Sequence, residues 1–551
     1  MYSDTPSVNI LTSLLVGHGV THVVVCPGSR NAALVHNFNE CPDLRCVPAT
    51  DERSAGFIAL GLTQQTGRPA AVCVTSGSAL LNVLPAAAEA TYQHQGIIVI
   101  SADRPAAWIG QFDGQTMPQP GALGSFVARS VSLPAVTDDE SHWHCNRLVN
   151  EALIVACRRE RPSVHINVPL AEPLFSFTTP ELPEERCITH IYQDDELLFD
   201  AFLSRLMSAK RPMVVIGQTD GRLIPDDYLA RLMETHVVLY DCVSVEGMPP
   251  ALTDDMIDMI SEHRKRALPD FVVYFGGNTV SKRLRQFLRE LPSEAAVAMV
   301  TPSGELNDVS RHTRYVIEGD EYEVVKSVFM ALFTTTPQPS FYQTWQDLRE
   351  HAEDDLDAQC QAYSPRLAVK LLEEQLADSE APVYYANSTA IRLANRYAAH
   401  HCRCNRGLNG IEGSISTAVG AALAAQEDED GLVYCVTGDL SFFYDSNALW
   451  NNAPANLRIL LINDGGGSIF QSLPGLSASP AASTFVCGRH DRTAEHLCRD
   501  HGITYLRATD EASLRTSLDA LHTPKTTAPI LVEVISPTSS RLLRTAPPLP
   551  L

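Results

Sequence analysis

Short apolar runs that stop abruptly at glycine, serine or aspartate, each followed by a helical stretch, recur along the whole chain: HVVVCPGSR (22–30), AAVCVTSGSA (70–79) and GIIVISADRP (96–105) open the series. Strands separated by helices need crossover connections, which make the strands parallel and cover the sheet faces with helices. An α/β fold class follows. An internal echo repeats the design, because VCVTSGSALLNVLPA (72–86) resembles YCVTGDLSFFYDSNAL (434–449), and a second apolar strand follows each at 97–101 and 458–463. Two related domains at the two ends of the chain are therefore expected. Between them RPMVVIGQTDG (211–221), HVVLYDCVS (236–244), DFVVYFGGNTVSKRL (270–284) and AVAMVTPSG (296–304) predict a third sheet. A chain of 551 residues exceeds what one core serves. Linkers expected at the Pro- and Glu-rich 170–186 and at 334–340 divide it into domains 1–185, 190–345 and 360–551.

Two of the strands end in carboxylates, Asp439 after YCVTG and Asp464 after LRILLIN, 25 positions apart and the second followed by three glycines. In open parallel sheets the carboxyl ends of strands are where ligands bind. A hard cation such as Mg²⁺ takes oxygen ligands and completes its octahedron with diphosphate oxygens and water. Asp439, Asp464 and a backbone carbonyl near Gly466 would suit it. The competing reading is that each aspartate caps the helix that follows.

Composition narrows the class of partner. The chain is 45% apolar and 19% charged, and no apolar run approaches the roughly 20 residues that span a bilayer. The start, MYSDTPSVNI, lacks a basic segment followed by an apolar one. Fourteen scattered cysteines without a framework suggest reduced thiols and a cytoplasmic setting. A net charge of -23 argues against nucleic acid or an anionic membrane surface as partner. It also means that an anionic substrate needs a local cluster of cations. Candidates are Arg30 beside Ser29 in CPGSR, Arg104 in SADRP, Lys282 in VSKRL, Arg392 four residues after Ser388 and so on the same helix face, and Arg406 in CNRGLNG. Singly, each also reads as a surface charge. HHCRC (400–404) has zinc-ligand residue types, but adjacent strand residues point to opposite faces and no second pair closes a tetrahedron. No G-x-G-x-x-G follows a strand, and there is no Walker A sequence.

The Gly-Asp followed some 25 residues later by Asn-Asp-Gly is similar to the metal and diphosphate motif of thiamine diphosphate (ThDP) enzymes. GDLSFFYD resembles the form found in the 2-succinyl-5-enolpyruvyl-6-hydroxy-3-cyclohexene-1-carboxylate (SEPHCHC) synthase family of menaquinone biosynthesis, and the resemblance covers nearly the whole chain. It implies pyrimidine-binding, central and diphosphate-binding domains in that order, ThDP and Mg²⁺ as cofactors with Mn²⁺ able to substitute, and a homodimer or homotetramer. The implied reaction is decarboxylation of 2-oxoglutarate, then Stetter-like 1,4-addition of the succinyl semialdehyde carbanion to isochorismate, releasing CO₂. Residue by residue, it implies that Glu52, in PATDERSAGFIALG, bonds the aminopyrimidine N1′. A carboxyl in that role must stay partly protonated, which burial favours. Ile411, Gly438, Asp439, Leu440, Ser441, Asp464 and Gly466 would hold the cofactor, and Asp439, Asp464 and Gly466 the metal. Ser29, Arg30, Arg104, Gln115, Lys282, Ser388, Arg392 and Arg406 fall at the family's substrate-binding positions, and both substrates are dicarboxylates. The chain departs from the general Gly-Asp-Gly pattern at Leu440, has Asp464 where Asn is commoner, and has Gly114-Gln115 where the family often has Asn-Gln. Asn463 is an alternative metal ligand. Rival readings are another ThDP-dependent 2-oxo acid decarboxylase, an acetolactate-type synthase, or a non-catalytic module of the same fold.

Overall fold

A computed structural model describes every residue except 222, 225, 359, 361, 426–430, 451–452, 474 and 537–551. It contains three six-stranded sheets. The first is built from β1 (His22–Val25), β2 (Arg45–Pro48), β3 (Ala71–Val74), β4 (Ile98–Asp103), β5 (Arg129–Ser132) and β6 (Val164–Pro169). The second takes β7 (Thr189–Tyr192), β8 (Pro212–Ile216), β9 (Val237–Tyr240), β10 (Phe271–Phe275), β11 (Ala296–Thr301) and β12 (Thr313–Glu318). The third takes β13 (Val383–Tyr385), β14 (Cys402–Arg403), β15 (Val433–Gly438), β16 (Leu457–Asn463), β17 (Thr504–Ala508) and β18 (Ile530–Ile535).

Every pairing within the first and third sheets is parallel. Strand for strand these two sheets share one order, β2-β1-β3-β4-β6-β5 and β14-β13-β15-β16-β18-β17, whereas the second runs β7-β12-β11-β10-β8-β9. The echo seen in the sequence is thus a repeat of topology, with β3 and β15 in equivalent places. Helices on both faces bury both sets of alternating side chains, as a parallel sheet requires. In the third sheet Val436, Leu460, Ile462 and Val532 enter one core, while Val433, Cys435, Ile459 and Leu461 enter another.

The chain divides into two compact units, Met1–His190 with Leu306–Val316, and Ile191–Glu305 with Ile317–Leu551. The expected linker at 334–340 is only partly one. Pro339 opens a helix, Pro339–Ala358, that runs past residue 345, and its fixed φ suits a first helical position rather than a break. Phe341, Trp345, Leu348 and Ala352 of that helix pack into the core of the second sheet. The fourteen cysteines are all free thiols. Among the described residues no helix is long and apolar enough to cross a membrane.

Candidate active site

β15 and β16 are neighbours in the third sheet, paired so that Gly438 lies opposite Ile462, and their carboxyl ends therefore open side by side. Asp439 follows β15 directly and is 3% exposed. It does not cap its own short helix. One oxygen accepts from the Leu440 N–H at 2.6 Å, and the other reaches across to the N–H groups of Gly465 and Gly466 at 2.8 and 2.9 Å. The glycines are needed there: Gly465 and Gly466 have φ of 76° and 139°, and a Cβ on Gly466 would lie 2.7 Å from the Cys487 carbonyl oxygen. Asp464 accepts from the Ser468 hydroxyl through Oδ2, while its Oδ1 is buried without a hydrogen-bond partner.

Burial pushes Asp439 up to about 6 in spite of its N–H donors, and pushes Asp464 to about 6 as well, with the neighbouring Asp439 charge adding to the rise. Among the described residues neither carboxylate has a Lys or Arg ion-pair partner. His490 brings its Nε2 within 3.4 Å of Asp439, but burial lowers its basicity, so near pH 7 it is neutral. Two buried carboxylates and an orphaned oxygen form a donor set suited to a hard cation. Asn463 is engaged through both ends of its amide: Oδ1 accepts from the Gly465 N–H at 3.1 Å, and Nδ2 donates to Glu533 at 2.7 Å and to the Arg492 carbonyl at 2.8 Å. The Ser441 hydroxyl donates to the Ile411 carbonyl, which ties the 411 turn to this strand end. The expected Gly438, Leu440 and Ser441 lie where β15 passes into its helix, and Gly466 lies in the turn after β16 that Asp439 bonds.

A second cluster within the same unit is cationic. Ser388 precedes the helix Thr389–Tyr397 at φ 76°, a sparsely populated conformation for a side-chain-bearing residue, and its carbonyl accepts from Arg392 at 2.8 Å. Arg406 is 5% exposed, donates to Asn387 Oδ1 and to the Thr279 carbonyl at 2.9 Å each, and leaves its Nε without a partner. Arg285 donates to the same Thr279 carbonyl at 2.8 Å. Burial lowers both Arg392 and Arg406 from their ordinary values; the Asp254 charge opposes this at Arg392 and the Asp241 charge at Arg406, while the neighbouring guanidiniums, Arg406 and Arg285 at Arg392 and Arg285 at Arg406, add to it. Three guanidiniums that repel one another in a half-buried place favour an anion among them. Lys282, exposed, opens the helix Lys282–Arg289 beside them, with Ser281 as its cap. Arg285, Asn387 and His490 were not singled out in the sequence. Asn387 and Arg285 adjoin the candidates Ser388 and Lys282 in the chain, and only the fold shows that they share the site; His490 has no motif around it.

The other unit carries the remaining candidates. Glu52 is the first residue of the helix Glu52–Thr66, whose cap is Asp51 through the Ser54 N–H at 2.8 Å. Glu52 is half-buried, not buried as its implied role favours, and accepts from Asn82 at 3.1 Å. The physical reason is its place in an outward-facing first turn, close in sequence to the exposed Phe57 and Ile58. Arg30 donates to the Leu170 carbonyl and lies 3.4 Å from Glu172; Arg104 donates to Ser76 at 3.2 Å and pairs with Asp113. Ser29 is exposed in the turn before Arg30. Gln115 takes φ 54°, and its backbone packs against Gly77.

Residues 8–123 match the family model described as thiamine pyrophosphate enzyme, N-terminal TPP binding domain, and residues 386–534 match its C-terminal TPP binding domain. Together with the repeated sheet and the carboxylate-glycine turn, these matches define a thiamine diphosphate enzyme. SEPHCHC synthases of Bacteroides fragilis and Bacteroides thetaiotaomicron are 42% and 40% identical to the chain, each over 97% of the chain and 97% of the relative. That of Flavobacterium johnsoniae is 36% identical over 94% of both. The chain belongs to the 2-succinyl-5-enolpyruvyl-6-hydroxy-3-cyclohexene-1-carboxylate synthase family.

Proposed function

We propose that the chain catalyses SEPHCHC formation in menaquinone biosynthesis, decarboxylating 2-oxoglutarate and adding the remaining four-carbon unit to isochorismate with release of CO₂. Bound ThDP supplies the electron sink that lets a 2-oxo acid lose CO₂ and its former carbonyl carbon act as nucleophile. Asp439, Asp464 and the Gly466 carbonyl hold Mg²⁺, or Mn²⁺ in its place, and through it the diphosphate; the orphaned Asp464 oxygen favours Asp464 over Asn463. Gly438, Leu440, Ser441 and Ile411 line the cofactor. Glu52 exchanges a proton with the pyrimidine ring. Ser29, Arg30, Arg104, Gln115, Lys282, Ser388, Arg392 and Arg406 orient the substrates' carboxylates. Each of the three sheets forms the centre of one domain, and a homodimer or homotetramer in the cytoplasm, its subunits meeting at the exposed Phe57, Ile58 and Leu81, is the working assembly.

The observation that carries the choice of substrate is the cluster of Arg285, Arg392 and Arg406, with one guanidinium nitrogen left unpartnered in a chain of net charge -23. The test is CO₂ release from 2-oxoglutarate that depends on both ThDP and Mg²⁺, and SEPHCHC formation once isochorismate is added. Turnover of pyruvate instead of 2-oxoglutarate would overturn the reading.

Arg392→Ala and Arg406→Ala are expected to lose a charge-assisted bond worth about 1.5 to 3 kcal/mol, or roughly 10- to 150-fold in kcat/KM. An arginine that serves 2-oxoglutarate impairs decarboxylation measured alone; one that serves isochorismate impairs only the coupled reaction. Arg515→Ala, which breaks only an exposed pair with Glu511, is the control. Equal rates for all three variants would remove both arginines from the site. Metal binding should also compete with protons. Because Asp439 and Asp464 titrate at about 6, the Mg²⁺ concentration for half-saturation is expected to rise as pH falls through that value and to level off above pH 7. Calorimetric titration with Mg²⁺ and ThDP across this range checks it.

A further inference from the structure

Asp241, at the end of β9, is completely buried, and its nearest bonding partners are neutral. Oδ1 accepts from the Asn395 side chain at 2.6 Å, and Oδ2 accepts from the Val280 N–H, with the Ser281 N–H contributing as well. The two oxygens therefore hold two different segments, one through a side chain and one through backbone N–H groups. Asn395 lies on the helix that begins after Ser388 and carries Arg392, and its Oδ1 accepts in turn from the Cys242 N–H at 2.8 Å. Val280 lies in the loop whose Thr279 carbonyl receives both Arg406 and Arg285, and which leads into Lys282.

We infer that Asp241 is a positioning residue for the carboxylate-binding arginines: one buried carboxylate sets the distance between the Ser388–Arg392 helix and the Thr279 carbonyl to which Arg406 is tied. The inference rests on the proposed use of these arginines for substrate. Burial raises Asp241 to about 6, so in its ionised form it opposes folding rather than supporting it. A group that served packing alone would be better neutral. What an ionised carboxylate offers here is acceptance on both oxygens at once. An amide cannot do this, since one of its two ends presents N–H to a donor, either Asn395 or Val280.

Asp241→Asn is accordingly expected to raise KM for one or both carboxylate substrates about 10- to 100-fold while kcat at saturation stays within about threefold. Half-saturation by ThDP and Mg²⁺ should not move, because the turn at Asp439 shares no hydrogen bond with Asp241 among the described residues. Ser244→Ala removes the hydroxyl that accepts from the Asp241 N–H and donates to the Ile216 carbonyl, touches neither carboxylate oxygen, and is expected to lower stability without changing KM. Hydrogen exchange of the peptide spanning 276–284 reads the clamp itself, and it should quicken in Asp241→Asn and not in Ser244→Ala. A folded Asp241→Asn enzyme with unchanged KM values, or with unchanged exchange in that peptide, overturns the inference. Should this variant not fold, Asn395→Ser cuts the same clamp from its other end and is judged by the same split between KM and kcat. If the wild-type enzyme releases no CO₂ from 2-oxoglutarate, the proposed function fails by itself, and the exchange measurement still decides whether Asp241 holds the loop.

Discussion

Asp439→Ala is expected to abolish ThDP binding in the presence of Mg²⁺ and to leave the fold in place. The carboxylate stands where β15 meets β16 and joins Leu440 to Gly465 and Gly466 through three N–H groups, so its loss removes the proposed metal ligand and also releases the glycine turn. An affinity loss of at least about 100-fold is expected, since even partners one step removed from a metal cost 10- to 100-fold. Stability of the cofactor-free chain should fall by less than the three orphaned donors alone would cost, because a second effect opposes the first. Orphaned buried donors cost about 1 to 3 kcal/mol each. Against this, the folded pKa of Asp439 lies above its unfolded value, so the ionised carboxylate destabilises the native state above pH 6 and ceases to do so below about 3.8, where both states are protonated. The shift of about two units corresponds to about 3 kcal/mol that alanine relieves near neutral pH. Circular dichroism should therefore remain native, while the stabilisation that saturating ThDP and Mg²⁺ give the wild type, about 2.7 kcal/mol at a hundred times Kd and read as a rise in Tm, should vanish. Wild-type affinity in the variant would show that this turn is not the diphosphate site.

Asp439 and Asp464 could be found in the sequence because each directly follows its own strand, and neighbouring parallel strands end at the same edge. Chain order alone thus sets them side by side. The β-α alternation and the echo of 72–86 in 434–449 were legible for a similar reason, since the pattern of apolar runs is local and the shared strand order follows from repeating it. Asp241, Arg285 and His490 are a different case. Arg285 sits on the helix Lys282–Arg289 and His490 in the turn after Cys487, with nothing nearby to distinguish them from a solvated arginine or histidine, whereas Asp241 follows β9 as Asp439 follows β15 but its partners are remote in the chain. Asp241 in particular owes its importance to Asn395, 154 positions away. Pro339 illustrates the opposite error, in which a proline that reads as punctuation begins a helix whose Phe341 and Trp345 join a core. The arginines fall in between. Their turns were visible, but not that Arg30 and Arg104 have carboxylate partners within their own unit while Arg406 keeps an unpartnered nitrogen.

Glu52→Gln is expected to separate cofactor activation from cofactor binding. Asp51, not Glu52, caps the helix Glu52–Thr66, so the substitution leaves the helix start intact. The amide oxygen can still accept from Asn82, the one hydrogen bond that Glu52 makes among the described residues, and stability should stay within about 0.5 kcal/mol of wild type. What the amide lacks is a transferable proton. A carboxyl facing the pyrimidine N1′ can donate a proton and recover it, which moves basicity to the other side of the ring, whereas an amide can form the hydrogen bond but cannot exchange the proton. General acid-base catalysis of this kind contributes about 10²- to 10⁴-fold, and C2 proton exchange of bound ThDP, followed by NMR, should slow by at least the lower figure. Affinity for ThDP should stay within about threefold, because the diphosphate and metal site proposed at Asp439 and Asp464 is untouched. Glu52 is half-buried in the single chain, beside exposed apolar residues, and in the proposed dimer a second subunit would cover it. Exchange should accordingly be slow in both proteins when dilution separates the subunits, and should recover on reassociation only in the wild type. An exchange rate in assembled Glu52→Gln equal to that of the wild type would remove Glu52 from the reaction while leaving the Asp439 turn as the cofactor site.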